Sequence, residues 1–247
     1  MTITDLAELR PIERPEATTL AQDEVALMAA ALRSLDGDDW TRSTDCPLWD
    51  VRAMAGHVLG MTNTFTSFRR LMADMRAGGK RAGKGPIIDG LTAVQVDANA
   101  DLSPDELIAR LEAAGPVNAR WRARRRFVRR APLKEEVDGV AETWKMGYLL
   151  DVVLTRDTWM HRSDIARATG RPMELTAAHD GRIVADAAAE WARRHGKPCT
   201  LHLTGPAGGT FRQGDGGEAI TIDAVDFCRI LSGRGTGEGL LQQQVPF

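Results

Sequence analysis

The chain has 247 residues, 43% of them apolar and 27% charged, which excludes wholesale disorder and gives material for one large domain or two modest ones. Lys plus Arg (32) against Asp plus Glu (34) leaves a net charge of −2, so no overall field draws in a polyanion. Apolar runs such as that from Val25 to Leu32 are too short for a bilayer, and the N-terminus lacks the order of a secretory signal. The expectation is a soluble, cytoplasmic protein. Cys46, Cys199 and Cys228 lie far apart, which leaves neither a disulfide framework nor a cysteine-based zinc finger.

The first 20 residues, with two prolines and mixed charges, read as an extended arm. Leu20, Val25, Met28, Ala31, Leu32 and Leu35 recur at helical spacing until the acidic turn at residues 36–39. A polar loop follows at 41–47, then a second helix from Asp50, its N-cap, to about residue 76. Residues 77–86, with four glycines and three basic side chains, read as a flexible connection, and 89–100 as a further helix. Ser103, Pro104, Asp105 and Glu106 form a strong start for a third long helix running towards 130. A fourth spans about 143–169 and stops at Gly170, with Pro172 beyond. Thereafter the pattern changes: a helix over 176–195, strand character at 198–204 and 219–222, a turn at 205–209, and a short helix at 223–231. The predicted fold class is mainly α with an α+β tail, a helical bundle over 1–172 and a small α+β domain over 173–247.

The second helix places Met54, His57, Met61 and Phe65 on one stripe, so an imidazole lies on an apolar face. The fourth aligns Leu149, Val153, Asp157, His161 and Asp164, which turns a carboxylate and two further polar groups towards the core. An acid four residues before a histidine sets both tips one above the other, a two-ligand grip. Burying Asp157 without a cation or donors costs on the order of several kcal/mol. Two accounts meet that demand. His57 can be an ordinary hydrogen-bonded core histidine and Asp157 can pair with Arg156, Arg162 or a neighbouring helix. Alternatively His57, Asp157 and His161 share a metal: such a set suits Zn²⁺, with Ni²⁺ or Fe²⁺ as alternatives, and leaves positions open for water or substrate. Asp164, one turn past His161, would orient a ligand or a substrate.

The segment Thr44-Asp45-Cys46-Pro47-Leu48-Trp49-Asp50-Val51-Arg52 followed by His57, the run from Asp157 through His161 and Asp164 to Pro172, and the ending LHLTGPAGGTF…FCRILSGRGTGEGLLQQQVPF together resemble the mycothiol-dependent maleylpyruvate isomerase family. That family belongs to the DinB-like metal-binding four-helix bundles, here with a small C-terminal α+β domain. The resemblance implies a divalent metal held by His57, Asp157 and His161, and a C-terminal arginine needed for activity, matched by Arg234. The family's acid is expected to be Glu, and Asp157 is shorter. The resemblance also implies mycothiol or a similar small thiol as cosubstrate, since a bound cation lowers a thiol's pKa and no cysteine of this chain has a paired or ligand-like spacing. A thiolate adding to an electrophilic double bond leads to cis–trans isomerisation if it is expelled and to S-transfer if it stays. Arg234 would bind the substrate's carboxylate or stabilise enolate charge, with Asp164 as the second catalytic candidate. A metal-assisted hydrolase, and a non-catalytic metal- or ligand-binding stress or regulatory protein, are the alternatives.

Seven arginines lie among residues 120–130, interleaved with Trp121 and Phe127. Against a nucleic-acid reading stand the near-neutral total charge and the simpler account, in which Trp121, Phe127 and Val128 anchor the core beneath a solvated basic face. Residues 205–209 read as a hairpin turn rather than a phosphate loop, Cys46 as a structural thiol, and Trp49 and Trp144 as walls of the core or of a pocket.

Overall fold

In the computed structural model, which describes residues 3–124 and 127–247, helices dominate and the sheets are small. Chain order is β1 (Ile3–Asp5), α1 (Arg14–Arg33), α2 (Val51–Thr64), α3 (Phe68–Ala82), α4 (Ile87–Asn99) and α5 (Pro104–Arg124), then β2 (Pro132–Val137), β3 (Val140–Lys145) and the one-turn α6 (Met146–Tyr148). There follow α7 (Leu154–Thr169), α8 (Asp180–His195), β4 (Cys199–Thr204), β5 (Gly209–Gln213), β6 (Glu218–Asp223) and α9 (Ala224–Leu231). The chain forms two compact units that interleave along the sequence, where a single boundary at 172 was expected. One comprises Arg14–Arg130 and Asp157–Met173; the other comprises Met1–Glu13, Ala131–Arg156 and Glu174–Phe247. No described helix is long and apolar enough to cross a membrane.

The first unit is a helical bundle. Its core joins Val25, Met28 and Leu32 of α1 to Met54, Val58 and Leu59 of α2, Leu107, Ile108 and Leu111 of α5, and Ile165 of α7. Local signals set the ends: Asp50 accepts the Ala53 amide at 2.8 Å, and Ser103 with Glu106 closes a capping box ahead of α5. The single helix expected over 50–76 is two, because Ser67 caps a new start by accepting the Arg70 amide at 3.1 Å. The glycines expected to make a flexible connection at 77–86 lie partly inside α3. A Cβ on Gly78 would sit 2.9 Å from the Leu91 backbone, so this glycine permits α3 and α4 to approach. The third helix is described as far as Arg124, Arg125 and Arg126 of the arginine-rich stretch lie outside the described residues, and Val128–Arg130 form a 3₁₀ turn where the helix was expected to continue. Trp121 is a core anchor, but Phe127 is 86% exposed and Val128 half-buried, which corrects the anchoring role expected of those two.

In the second unit β1, β5, β4 and β6 form a sheet in that order, β1 running parallel to β5, β5 antiparallel to β4, and β4 parallel to β6. The arm at the N-terminus thus supplies an edge strand, and residues 205–208 make the turn between β4 and β5. The stretch at 132–145 is a hairpin, so the fourth helix begins at Met146, not at 143. Its turn is Asp138-Gly139, both with positive φ (51° and 74°), the pairing a two-residue hairpin loop requires. A π-helical turn at Leu149–Val153 leads into α7, which ends at Gly170 in the left-handed conformation (φ 71°), as the sequence indicates. Helix α8 starts one turn later than expected, at Asp180, with Thr176 still accepting the His179 amide at 3.2 Å.

Candidate metal centre

The loop entering α2 is closed on itself. Thr44 donates from its backbone and its hydroxyl to the Trp49 carbonyl (3.2 and 2.8 Å), and the Trp49 amide donates to the Cys46 carbonyl at 2.9 Å. This holds the Trp49 indole over the His57 ring, with centroids 4.7 Å apart and planes 29° from parallel. His57, nearly two turns into α2, is 2% exposed and meets His161 of α7 edge to face at 5.1 Å.

Asp157 stands between the two imidazoles. His161 Nε2 lies 3.3 Å from its Oδ1 and His57 Nε2 lies 3.9 Å from its Oδ2. One ligand atom from each residue falls within 4.8 Å of the others. The remaining ring nitrogens are held from behind: His57 Nδ1 by Gln95 Oε1 at 3.0 Å, and His161 Nδ1 by Asp164 Oδ2 at 3.2 Å. Asp157 retains 23% side-chain exposure while Asp164 has none, so the trio opens to solvent at the carboxylate that was expected to face the core.

The two histidines titrate in opposite directions. Burial pushes His57 down to about 4, with His161 adding to the shift and Asp157 opposing it. Burial also works against His161, but Asp157 at one nitrogen and Asp164 at the other outweigh it and raise it to about 9. Without a cation the two carboxylates favour the protonated form of His161, and a metal bound at its Nε2 would displace that proton. The donors fit a divalent metal: two Nε2 atoms and one carboxylate converge, and each imidazole is steadied at its far nitrogen.

The cations that flank Asp157 in sequence are committed elsewhere. Arg162 grips Glu24 through two bonds of 2.8 and 3.1 Å, and Arg156 binds Asp186 and Glu190 at 2.7 and 2.8 Å. Cys46 Sγ lies within 4.8 Å of ligand atoms of His161 and Asp164. Arg234 belongs to the other compact unit, in the turn after α9, half-buried, with its amide on the Arg229 carbonyl at 2.9 Å. Sequence reasoning missed Gln95. Its seat is made by Gly60 of the histidine-bearing helix, where a Cβ would lie 2.4 Å from Gln95 Cβ, and that pairing across two helices leaves no local signal in the sequence.

Residues 21–166, more than half of the chain, match the family model described as the mycothiol maleylpyruvate isomerase N-terminal domain. That segment contains His57, Asp157, His161 and Asp164, whereas Arg234 lies beyond it. The crystal structure of the mycothiol-dependent maleylpyruvate isomerase is similar in fold, with a TM-score of 0.55 at 17% identity over 95% of this chain and 93% of that one. A histidine-to-alanine mutant of the mycothiol-dependent maleylpyruvate isomerase gives a TM-score of 0.52 at the same identity and coverage. No curated protein sequence matches the chain.

Proposed function

This chain belongs to the mycothiol maleylpyruvate isomerase family through its N-terminal domain, and on that premise we propose that it is a cytoplasmic, metal-dependent enzyme. It would use mycothiol or a similar small thiol for cis–trans isomerisation of a maleylpyruvate-like electrophile, or for S-transfer to one. The observation that carries this reading is the convergence of His57 Nε2, His161 Nε2 and the Asp157 carboxylate. Zn²⁺, with Ni²⁺ or Fe²⁺ as alternatives, would supply a positive charge that keeps a thiol deprotonated at neutral pH.

The residues themselves define the rest. His57, Asp157 and His161 would hold the ion, Asp164 and Gln95 steady the two imidazoles, and the Trp49 indole shields the His57 face from water. The exposed edge of Asp157 is the approach for small molecules. Addition of the thiolate to an electrophilic double bond leaves a single bond free to rotate. Expulsion then returns the thiol and the isomer; retention gives the S-adduct.

Zinc-loaded protein supplied with mycothiol and maleylpyruvate should isomerise it only when thiol is present. Ester or amide turnover without thiol would favour a hydrolase, and zinc uptake with neither activity a binding protein. Asp157→Asn should weaken zinc binding strongly by removing the anion, whereas Asp157→Glu, the acid that the resemblance leads one to expect, should retain it. Unchanged zinc affinity in Asp157→Asn would make Asp157 a structural residue. For Arg234 we propose the role the resemblance gives it, at the substrate's carboxylate or enolate. Arg234→Ala should lower thiol-dependent turnover by about 2–4 kcal/mol with zinc content intact, and Lys should rescue poorly if planar bidentate bonding is needed. Wild-type turnover in Arg234→Ala would remove it from the active site.

A further inference from the structure

We propose that Asp74, on α3 and outside the histidine–aspartate trio, fixes the tautomer of His57 through a one-way chain of buried hydrogen bonds and so keeps His57 Nε2 open to a cation. The proposal rests on the metal reading above. It starts from the far end of the chain. The Asp74 carboxylate accepts from Arg70 Nε at 2.8 Å and from the Thr64 hydroxyl at 2.8 Å. A carboxylate paired with a guanidinium has no proton to give. Thr64 owns one hydroxyl proton, and the other group in reach of it, the Gly60 carbonyl at 3.0 Å, is also an acceptor. At 2.8 Å the carboxylate oxygen of Asp74 needs that proton between itself and the hydroxyl oxygen, since two bare oxygens at this distance repel, and towards Gln95 the Thr64 oxygen can then only accept.

Gln95 must accordingly turn its NH₂ group to Thr64, at 3.1 Å. The second N–H of that group falls on Met61 Sδ at 3.8 Å, another atom that only accepts. Two independent acceptors thus assign the same amide orientation. Gln95 Oε1 is left facing His57 Nδ1 at 3.0 Å, so Nδ1 carries the ring proton and Nε2 carries the lone pair. The reverse orientation would set an amide oxygen against the Thr64 oxygen and the Met61 sulfur, and would move the ring proton to Nε2, closing that atom to a metal.

The chain is sealed from water that could invert it: His57 and Gln95 are each 2% exposed and Thr64 is fully buried. Its geometry is built into the backbone as well. A Cβ on Gly60 would lie 2.4 Å from Gln95 Cβ, so the seat of Gln95 exists only because α2 has no side chain there. His161 Nδ1 faces an anion directly, Asp164 at 3.2 Å, whereas His57 is linked to its anion through two intervening side chains.

The test is the ring tautomer of His57, read by long-range ¹H–¹⁵N correlation in metal-free protein at pH 7, together with zinc affinity by competition. The wild type should show Nδ1–H. Thr64→Val, which changes no charge, and Asp74→Asn should each lose the single tautomer and bind zinc about 10–100-fold more weakly. Thr64→Ser should retain both properties. An Nε2–H tautomer in the wild type, or a folded Thr64→Val protein with unchanged tautomer and zinc affinity, would overturn the proposal. If Thr64→Val does not fold, the wild-type spectrum decides. A wild-type Nδ1–H tautomer without zinc uptake would leave the chain of bonds standing and remove the metal reading, so the two fail separately.

Discussion

His57→Ala should lower zinc affinity about a thousandfold and leave the bundle folded. Apparent zinc-binding energies of about 10–16 kcal/mol, shared over three protein ligands, put the loss of one near 4 kcal/mol, or roughly three decades. The surrounding core, with Met54, Val58 and Leu59 on the same helix, is untouched by the truncation. His161→Ala should be as damaging to zinc binding and more damaging to stability, because it also removes the ring that faces the fully buried Asp164 carboxylate at 3.2 Å. Equilibrium dialysis with metal analysis checks the first effect and thermal melting the second. Full zinc stoichiometry in either variant, at concentrations where the wild type is just saturated, would contradict the ligand assignment.

Arg156→Met should destabilise the unit that contains the sheet by about 3–5 kcal/mol, the usual result of removing one partner from a buried ion network. The Arg156 side chain is 1% exposed and bridges Asp186 and Glu190; Tyr148 and Arg194 also bond to Glu190. Burial alone would raise the Glu190 carboxyl, but Arg156, the Tyr148 hydroxyl and Arg194 together hold it below its ordinary value. A carboxyl depressed in the folded state contributes stability above its unfolded value, about 4.3, and loses it as pH falls through the lower folded value. The gap in melting temperature between wild type and Arg156→Met should therefore be widest near pH 7 and narrow in acid. Equal melting temperatures at pH 7 would show that the network contributes nothing.

Much of this molecule was legible in the chain because the informative signals are local. Asp50, Ser103, Gly170 and Gly196 mark helix ends by their own chemistry, and the four-residue step from Asp157 to His161 places two donors together in any α-helix. What was lost depends on partners remote in sequence. Gly78 reads as linker until α4 is seen packed against it, and Gln95 reads as surface until Gly60 makes room for it. The pairing of β1 with β5 joins residues some 200 positions apart, which no local pattern encodes. One omission was avoidable, since Asp138-Gly139 between alternating stretches is a hairpin signal in its own right. The weakest link between sequence and chemistry is Arg234, which has no local reason to matter beyond the resemblance.

The most direct test of the central claim is an absorption titration of cobalt-substituted protein with mycothiol. Co²⁺ takes the place of Zn²⁺ at nitrogen and oxygen ligands and reports a thiolate through a near-ultraviolet sulfur-to-cobalt band. If His57, Asp157 and His161 hold a metal with a position open to the cosubstrate, that band should grow to saturation at one thiol per cobalt and be absent in His57→Ala. No band at saturating cobalt and thiol, or an identical band in His57→Ala, would contradict the account.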